Sequence, residues 1–432
     1  MRRTGHRLAA LVVCAALGAS ACGSATPNAL AFEESIDDPS RTQVTVVTSD
    51  PASVSQAIES WERSRPTVEV TIDVRTSSDL VQMLLGEDGT TADVIALNPT
   101  ARAVALDHPE LFVDLDETLG EAVLEPLIDD LVEAGRERDG ALIGLPYSID
   151  AMALAINTEM LSEVHTEALV AAETWCDLLS AADRFTEGTG SAFFGDPTEL
   201  ARAQFAQSRS AYADDGVLLA DDEAELTFIW DTTMLSLGRD VIHGDPCPEH
   251  EPIGRVARNF TFGDPLWTNA IAADGFASAL LSFRAAEELE AGASATAGSW
   301  QLLPLPGQTG ASDGLVHLAI PTASEQTELA VDLVTWLASP PMQERSFLDE
   351  SPTLPVIERL YEDPAATRRL DEFYGPGAFE PFALAAMSRP SDVDVAPERE
   401  VVIDLVLESI RDVANDARSP EEAWDELISR LP

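Results

Sequence analysis

The hydrophobic and polar positions between residues 42 and 97 predict a β-α-β-α-β order. Residues 68–74 alternate between apolar and polar, which is the period of a strand buried on one face. Apolar residues within 53–64 instead share one face of a helix: Val54, Ala57, Ile58 and Trp61. The same reasoning places strands at 44–49 and 92–97, and a helix at 80–85 that Gly86 closes. This order favours a mostly parallel α/β sheet with helices on both faces.

The same periods continue to the C-terminus without an internal repeat. Extended segments are predicted at 142–147 and 150–157, separated by a break at Pro146, and at 302–306 and 316–320. Helices are predicted at 199–213, 222–242, 325–338 and 397–417, a loop at 244–265 and a mixed segment at 270–291. Two further helices begin at capping signatures, namely Thr174 with Asp177 and Ser419 with Glu422.

The N-terminus has the composition of an export signal. Arg2, Arg3 and Arg7 precede the apolar run 8–21, whose fourteen residues are too few to span a bilayer as a helix. Small residues then lead into Cys22, as in a lipobox, where a diacylated cysteine becomes the mature N-terminus. Ordinary cleavage that leaves Cys22 unmodified is the alternative. We therefore predict a signal peptide over 1–21, a lipid anchor at Cys22 and a flexible tether over 22–41, which would hold the protein at the extracellular face of the membrane.

The charge balance excludes several classes of partner. The chain has 26 basic residues, all arginine, against 76 Asp and Glu, a formal net charge of −50. So acidic a surface repels phosphate backbones and anionic lipid headgroups, which excludes nucleic acid and peripheral docking on lipid. Removal of residues 1–21 takes three arginines and no acid, which leaves 23 − 76 = −53. Self-repulsion of this size predicts a halophilic protein that salt stabilises.

Beyond Cys14 and Cys22, the chain has two cysteines, Cys176 and Cys247. Two cysteines in an exported protein indicate first a disulfide bond, and two free thiols are the second interpretation. The third is a metal site, because His243, Asp245 and His250 lie close to Cys247. Prolines on both sides of Cys247 and the lack of a second ligand pair argue against metal, and we predict none.

The strand ends give the first candidate ligand contacts. Ligands of parallel α/β sheets bind beyond the carboxyl ends of the strands. Asp50 and Asn98 follow two of the predicted strands, so both are expected at this crevice. Each is also a common turn former, which is the alternative interpretation.

Several segments, taken in order from about residue 42, resemble extracellular solute-binding proteins of the maltose-binding type, which serve ABC importers. The segment 140–157 (GALIGLPYSIDAMALAIN) resembles the first crossing between lobes of that family, and 174–179 (TWCDLL) resembles a helix start. Further similar blocks are 273–283, 314–324, 330–343, 351–355 and 419–424. Each block is weak alone, whereas the ordered series behind a lipobox is specific.

The resemblance implies a two-lobed periplasmic-binding-protein fold of type II that closes on its ligand. Matching the blocks gives one lobe over 42–149 plus 303–340 and another over 150–302 plus 341–432. It also implies a monomer without cofactor that captures a sugar and delivers it to ABC permease subunits.

The resemblance further implies ligand-binding residues, since in this family aromatic rings stack on sugars and polar groups fix their hydroxyls. Tyr147 and Asp150 would lie at the crossing. Phe194, Phe283 and Arg284 fall at or beside cleft aromatics of the second lobe. The alternatives are core packing for the two rings and a surface ion pair for Arg284, which we favour over a ligand contact. Trp267 and Trp300 are further stacking candidates. An aromatic expected near Val402 is missing, which departs from the maltodextrin pattern.

Other functions stay open at this point. No nucleophile elbow, zinc-binding helix, P-loop or dinucleotide fingerprint occurs in the sequence, so a catalytic role has no motif to support it. Among 76 acids, close carboxylate pairs are expected by chance, and they do not indicate a glycosidase. We predict a binding protein and not an enzyme. The alternatives are an exported carbohydrate-active enzyme, a binder of another solute such as a polyamine, and a sensor for a membrane partner.

Overall fold

A mixed β-sheet runs through the structure, which is a computed structural model, and helices cover both faces of the sheet. The structure describes residues 41–431 except for 87–90, 138–139, 209–212, 215–216, 219, 261–264, 308, 349–352, 364, 366–367, 369 and 389–397. The predicted signal peptide, the anchor Cys22 and the tether up to Ser40 lie outside these residues.

The strands and helices follow in this order. The strands are β1 (Thr42–Thr48), β2 (Val68–Val74), β3 (Val94–Leu97), β4 (Leu145–Asn157), β5 (Ala192–Phe194), β6 (Ala213–Asp214), β7 (Val217–Leu218), β8 (Phe276–Ser282), β9 (Trp300–Leu303) and β10 (Ser312–Ala319). The helices are α1 (Pro51–Arg63), α2 (Ser77–Leu85), α3 (Pro99–Asp107), α4 (Leu115–Thr118), α5 (Glu121–Leu124), α6 (Asp129–Glu133), α7 (Glu163–Val170), α8 (Trp175–Thr189), α9 (Pro197–Gln207), α10 (Ala220–Ser236), α11 (Pro265–Ala272), α12 (Phe283–Gly292), α13 (Thr327–Ala338), α14 (Pro340–Leu348), α15 (Asp371–Tyr374), α16 (Glu380–Met387), α17 (Glu398–Ala414) and α18 (Pro420–Arg430).

The main sheet has the order β2-β1-β3-β10-β4-β8-β5, with β9 also paired to β4. The α/β class and the mixed sheet are confirmed. The expectation that parallel pairs predominate is wrong, because three of the seven described pairings in this sheet are parallel and four are antiparallel. The antiparallel pairs arise where β4 and β10 run through the middle of the sheet, in a part of the chain without βαβ repetition.

Local signals at the helix ends are confirmed. At α8, the Thr174 hydroxyl accepts the Asp177 N–H and the Asp177 carboxylate accepts the Thr174 N–H. Ser419 and Glu422 form the same reciprocal cap on α18, whose first residue is a proline. These pairs satisfy backbone donors that every helix start leaves free. Side chains within four residues therefore fix where these helices begin.

One predicted break is wrong, and one segment that was predicted only as helical or mixed is now assigned, each for an identifiable reason. Pro146 lies inside the continuous strand β4 and pairs with His317 at a register shift, where the ladder tolerates its missing N–H. The mixed segment 270–291 is a buried strand, β8, between two helices. Its sequence FASALLS is apolar on both faces, so alternation gives no signal there.

The core is arranged differently on the two faces of the sheet. Odd-numbered residues of β4, from Leu145 to Ala155, join one continuous cluster that also contains side chains of α1, α12, α13 and α16. On the opposite face, one cluster packs β1 and β3 against α2 and α3. A separate cluster there packs Met152, Leu154 and Ile156 of β4 against α8 and α9. The opposite face therefore has an interruption in its core near the middle of β4.

Outside the sheet, two features tie the later helices together. α9, α10, α17 and α18 share a fourth cluster in which Trp230 and Trp424 make an edge contact at 5.3 Å between ring centroids. A disulfide bond joins Cys176 at the start of α8 to Cys247 in the loop after α10, and their Cα atoms are 5.5 Å apart. Among the described residues, no helix is both long and apolar enough to cross a membrane.

Candidate functional site

Asp150 lies at the interruption in the core on β4. Side chains alternate along a strand, so Asp150 shares the face of Met152 and Leu154, opposite to Ile149 and Ala151. β4 pairs with β10 up to Ala151 and with β8 from Met152 onward. Asp150 is therefore a half-buried carboxylate at the place where β4 changes its neighbours.

Asp50 and Arg284 meet beside Asp150. The Arg284 guanidinium donates two hydrogen bonds to the Asp50 carboxylate, one of them from Nη1 to Oδ1 at 3.1 Å. The Arg284 backbone N–H donates to Asp150 Oδ1 at 3.4 Å. The side chains of Asp50 and Arg284 keep 27 % and 31 % of their exposure, so the pair remains in contact with solvent. Three of the predicted site residues thus form one cluster.

Two helix starts converge on this cluster. Asp50 is the N-cap residue of α1, but its side chain accepts no capping hydrogen bond and is used by Arg284 instead. Arg284 is in the first turn of α12, whose cap is Ser282, and Asp150 accepts a further N–H of that turn. The positive ends of both helices therefore favour the two carboxylates.

The electrostatics of the cluster favour the charged form of Arg284. The hydrogen bonds from Arg284 to Asp50 have the largest effect and raise the pKa of the guanidinium. Burial opposes them, and the smaller effects of the charges of Asp50, Asp150 and Glu288 raise that pKa further. Burial, with a smaller effect of the Asp50 charge, raises the pKa of the nearby Tyr147 phenol. Around neutral pH Arg284 is thus a cation beside acidic side chains.

Asn98 is a capping residue at a different place. Its Oδ1 accepts the Ala101 N–H at 2.9 Å and so caps α3, while its Nδ2 donates to Ser77 Oγ at 2.8 Å. It ties the start of α3 to the start of α2 at the carboxyl ends of β2 and β3. The amide is half-buried at the predicted strand-end edge. Its contacts, however, are those of a residue that caps a helix, which fits the alternative interpretation of Asn98 as a turn former.

The aromatic residues predicted to stack on a ligand lie in the core. Phe194 and Phe283 are fully buried, and Tyr147 is 3 % exposed, with its hydroxyl donating to the Ser53 carbonyl at 2.6 Å. Trp267 and Trp300 are buried as well. For the rings on strands, sheet register decides which face the side chain takes, and a register is not visible in a local sequence. Phe283 and Trp267 lie in helices, α12 and α11, whose packing against the core buries them. In this structure these rings offer no free face to a solute.

Sequence reasoning missed a buried carboxyl near the same place. Glu199 is in the first turn of α9, is 3 % exposed, and accepts the Leu280 N–H at 3.1 Å through Oε2. Burial first, and the Asp196 charge second, raise its pKa well above the ordinary value. The available signal was the spacing Asp196-Pro197-Thr198-Glu199, a helix start with an acid in its first turn.

The residues of the alternative metal site have separate partners. His243 Nδ1 lies 3.2 Å from Asp231 Oδ1, and His250 Nε2 lies 3.6 Å from Asp177 Oδ1. Cys247 is used in the disulfide. Within the described ranges, no group of three or more His, Cys, Asp or Glu side chains is placed to hold a metal ion.

Comparison with known proteins identifies the family. The sequence profile described as "Bacterial extracellular solute-binding protein" matches residues 56–369, well over half of the chain. The chain therefore belongs to the bacterial extracellular solute-binding proteins, as the ordered sequence blocks predicted. No curated protein sequence matches the chain.

Solved structures show the same fold at low sequence identity. A family 1 extracellular solute-binding protein has a TM-score of 0.75 and 20 % identity, over 90 % of this chain and 98 % of that one. The GacH receptor of Streptomyces glaucescens, described with acarbose, has a TM-score of 0.62 and 19 % identity, over 91 % and 100 %. The lacto-N-biose I-binding protein of the Bifidobacterium longum ABC transporter has a TM-score of 0.66 and 14 % identity, over 91 % and 96 %.

Proposed function

We propose that this solute-binding protein captures a mono- or oligosaccharide outside the cell and delivers it, as a monomer without enzymatic activity, to the permease subunits of an ABC importer. The observation that carries the proposal is the cluster of Asp50, Asp150 and Arg284 at the interruption in the core. Relatives of the same fold are described with sugars, namely acarbose and lacto-N-biose. At 19 % and 14 % identity, the likeness of these relatives to the chain concerns the fold. That the solute of this chain is also a sugar is our inference.

The chemistry of the cluster suits hydroxyl groups. Carboxylates accept hydrogen bonds from sugar hydroxyls, and a guanidinium donates to hydroxyl oxygens. Such charge-assisted bonds fix the orientation of a ligand in a site of few polar groups. The aromatic part of the predicted site has no counterpart in the cluster, so we assign recognition to polar contacts.

The arrangement of β4 also supports two lobes with the predicted boundaries, 42–149 plus 303–340 and 150–302 plus 341–432. β4 pairs with β10, a strand of the first predicted lobe, up to Ala151. From Met152 onward it pairs with β8, a strand of the second. The two separate clusters on one face would be the lobe cores that border a cleft. Small-angle scattering with and without a binding sugar tests this, because closure reduces the radius of gyration.

Thermal unfolding of the purified protein against mono- and oligosaccharides tests the function. A ligand at a hundred times its Kd stabilises the folded state by about 2.7 kcal/mol. We expect stabilisation by one class of sugar, stoichiometric binding in calorimetry and no turnover of the bound sugar. Asp150→Asn should weaken that binding, whereas Glu187→Gln, an exposed change on α8, should not. Stabilisation by no sugar, or hydrolysis of a glycoside, would overturn the proposal.

We also propose that Cys22 carries the lipid that anchors the protein. Small residues up to Ala21 followed by Cys22 support it. The wild-type protein should partition into the detergent phase of a Triton X-114 extract, and its N-terminal peptide should have the mass of a diacylated cysteine. Cys22→Ser should move the protein to the aqueous phase. Wild-type protein in the aqueous phase would count against the anchor.

A further inference from the structure

One guanidinium faces three acids at the candidate site. Arg284 makes two hydrogen bonds to Asp50, its backbone N–H bonds to Asp150, and Glu288 lies one turn further along α12. Without the guanidinium, the half-buried carboxylates of Asp50 and Asp150 and the exposed carboxylate of Glu288 would be left without this cation. Like charges so close attract cations, because each additional anion lowers the local potential.

The rest of the protein strengthens this effect. The formal net charge of −50 creates a negative potential over the whole surface, and a cleft concentrates such a field. Polyamines and metal cations are therefore drawn toward any pocket that exposes carboxylates. A protein of this charge that takes an uncharged solute needs a device that keeps cations out of its binding site.

We propose that Arg284 sets the charge selectivity of the site: its side chain occupies the carboxylate of Asp50 and opposes that of Asp150, so the site rejects polyamines and takes uncharged solutes. The inference rests on the proposed function for the location of the site. It assigns Arg284 the role of a specificity-determining residue. A purely structural ion pair would predict a loss of stability on mutation, with no change in the kind of ligand bound.

The test replaces Arg284 and measures spermidine binding by calorimetry in 0.15 M and 1 M NaCl. Arg284→Gln should bind spermidine at least about tenfold more tightly than wild type at the lower salt, because three carboxylates lose their cation. Arg63→Gln removes the same charge at an exposed position of α1 and should leave the spermidine affinity unchanged. Arg284→Lys keeps a cation at the site and should behave like wild type.

A second substitution tests whether the increase in spermidine affinity arises at the candidate site. Adding Asp150→Asn to Arg284→Gln should remove most of the gain, which diffuse attraction to an acidic surface would not do. Should Arg284→Gln fail to fold, the double variant Asp50→Asn, Arg284→Gln leaves no charge unpaired at their contact. Because it removes one anion together with the cation, its spermidine affinity should stay close to that of wild type rather than rise.

Two results would overturn the inference. One is wild-type protein that binds spermidine as tightly as Arg284→Gln does, and the other is an equal gain in Arg63→Gln. Failure of every sugar to bind wild type would count against the proposed function instead. The spermidine comparison is made without sugar and separates the two.

Discussion

The buried carboxyl of Glu199 makes the stability of this protein depend on pH in a predictable direction. Its first-turn position on α9 places it 3.1 Å from the Leu280 N–H, away from water, and beside Asp196. Both burial and that neighbouring charge disfavour the ionised form, so its folded pKa is raised well above the ordinary value. In the unfolded chain the pKa of the carboxyl is near the ordinary glutamate value of about 4.3.

The sign and the size follow from proton linkage. Below a pH of about 4.3 the carboxyl is protonated in both states, and its contribution to stability is fully present. Above that pH the unfolded chain releases the proton while the folded protein keeps it. The free energy of unfolding then falls by about 1.4 kcal/mol per pH unit, until the pH passes the folded pKa. The loss of stability continues for as long as the folded carboxyl stays protonated.

Glu199→Gln isolates this effect, because a glutamine oxygen still accepts the Leu280 N–H and the side chain does not ionise. Urea unfolding of wild type and variant at pH 5, 6 and 7 measures the difference in free energy. We expect the variant to gain on wild type as the pH rises, by at most about 1.4 kcal/mol per unit, which is the slope for one proton. Glu187→Gln, which removes the same charge at an exposed position of α8, is the control. A wild-type–variant difference that is constant over this range would refute the assignment of a raised pKa.

Three further results are expected. The disulfide between Cys176 and Cys247 closes 71 residues, so replacing both by serine should cost about 4.4 kcal/mol in urea unfolding, and an unchanged midpoint would contradict this. In Gly135→Ala the new Cβ would lie 2.0 Å from the Gly144 carbonyl oxygen, and a loss of about 1–3 kcal/mol should follow. Gly120→Ala has nothing within 4 Å of its new Cβ, so an equal loss there would refute the steric explanation. The Tm should rise with NaCl as the acidic surface is screened, and a Tm that does not rise would remove the halophilic hypothesis.

The starts of two helices were predictable from the sequence because their capping side chains act within a few residues. The caps at Thr174 and Ser419 join atoms three residues apart, and the helices begin where those signatures predict. β8 was not predictable in the same way. Strands buried on both faces lose the alternation that marks them, and only the neighbours β4 and β5 define this one.

The candidate site was predictable as separate residues but not as an arrangement. Strand ends pointed to Asp50, and the family resemblance pointed to Asp150 and Arg284. The contact between Asp50 and Arg284 joins positions 234 residues apart, which depends on how β1, β4 and β8 are ordered in the sheet. Phe194 and Phe283 failed as exposed aromatics for the same reason, because the register of β5 turned the Phe194 ring inward and the packing of α12 buried the Phe283 ring in the core.

The interruption in the core gives a physical reason for the position of the charged cluster. A carboxylate inside either cluster on that face would lose its hydration without a partner, which costs several kcal/mol. At the interruption Asp150 stays half-buried and accepts the Arg284 N–H, while the guanidinium compensates the neighbouring Asp50. The desolvation cost of a charged side chain on β4 is therefore lowest where the strand passes from β10 to β8. The cluster therefore joins residues attached to both halves of the sheet, Asp150 on β4, Asp50 after β1 and Arg284 after β8.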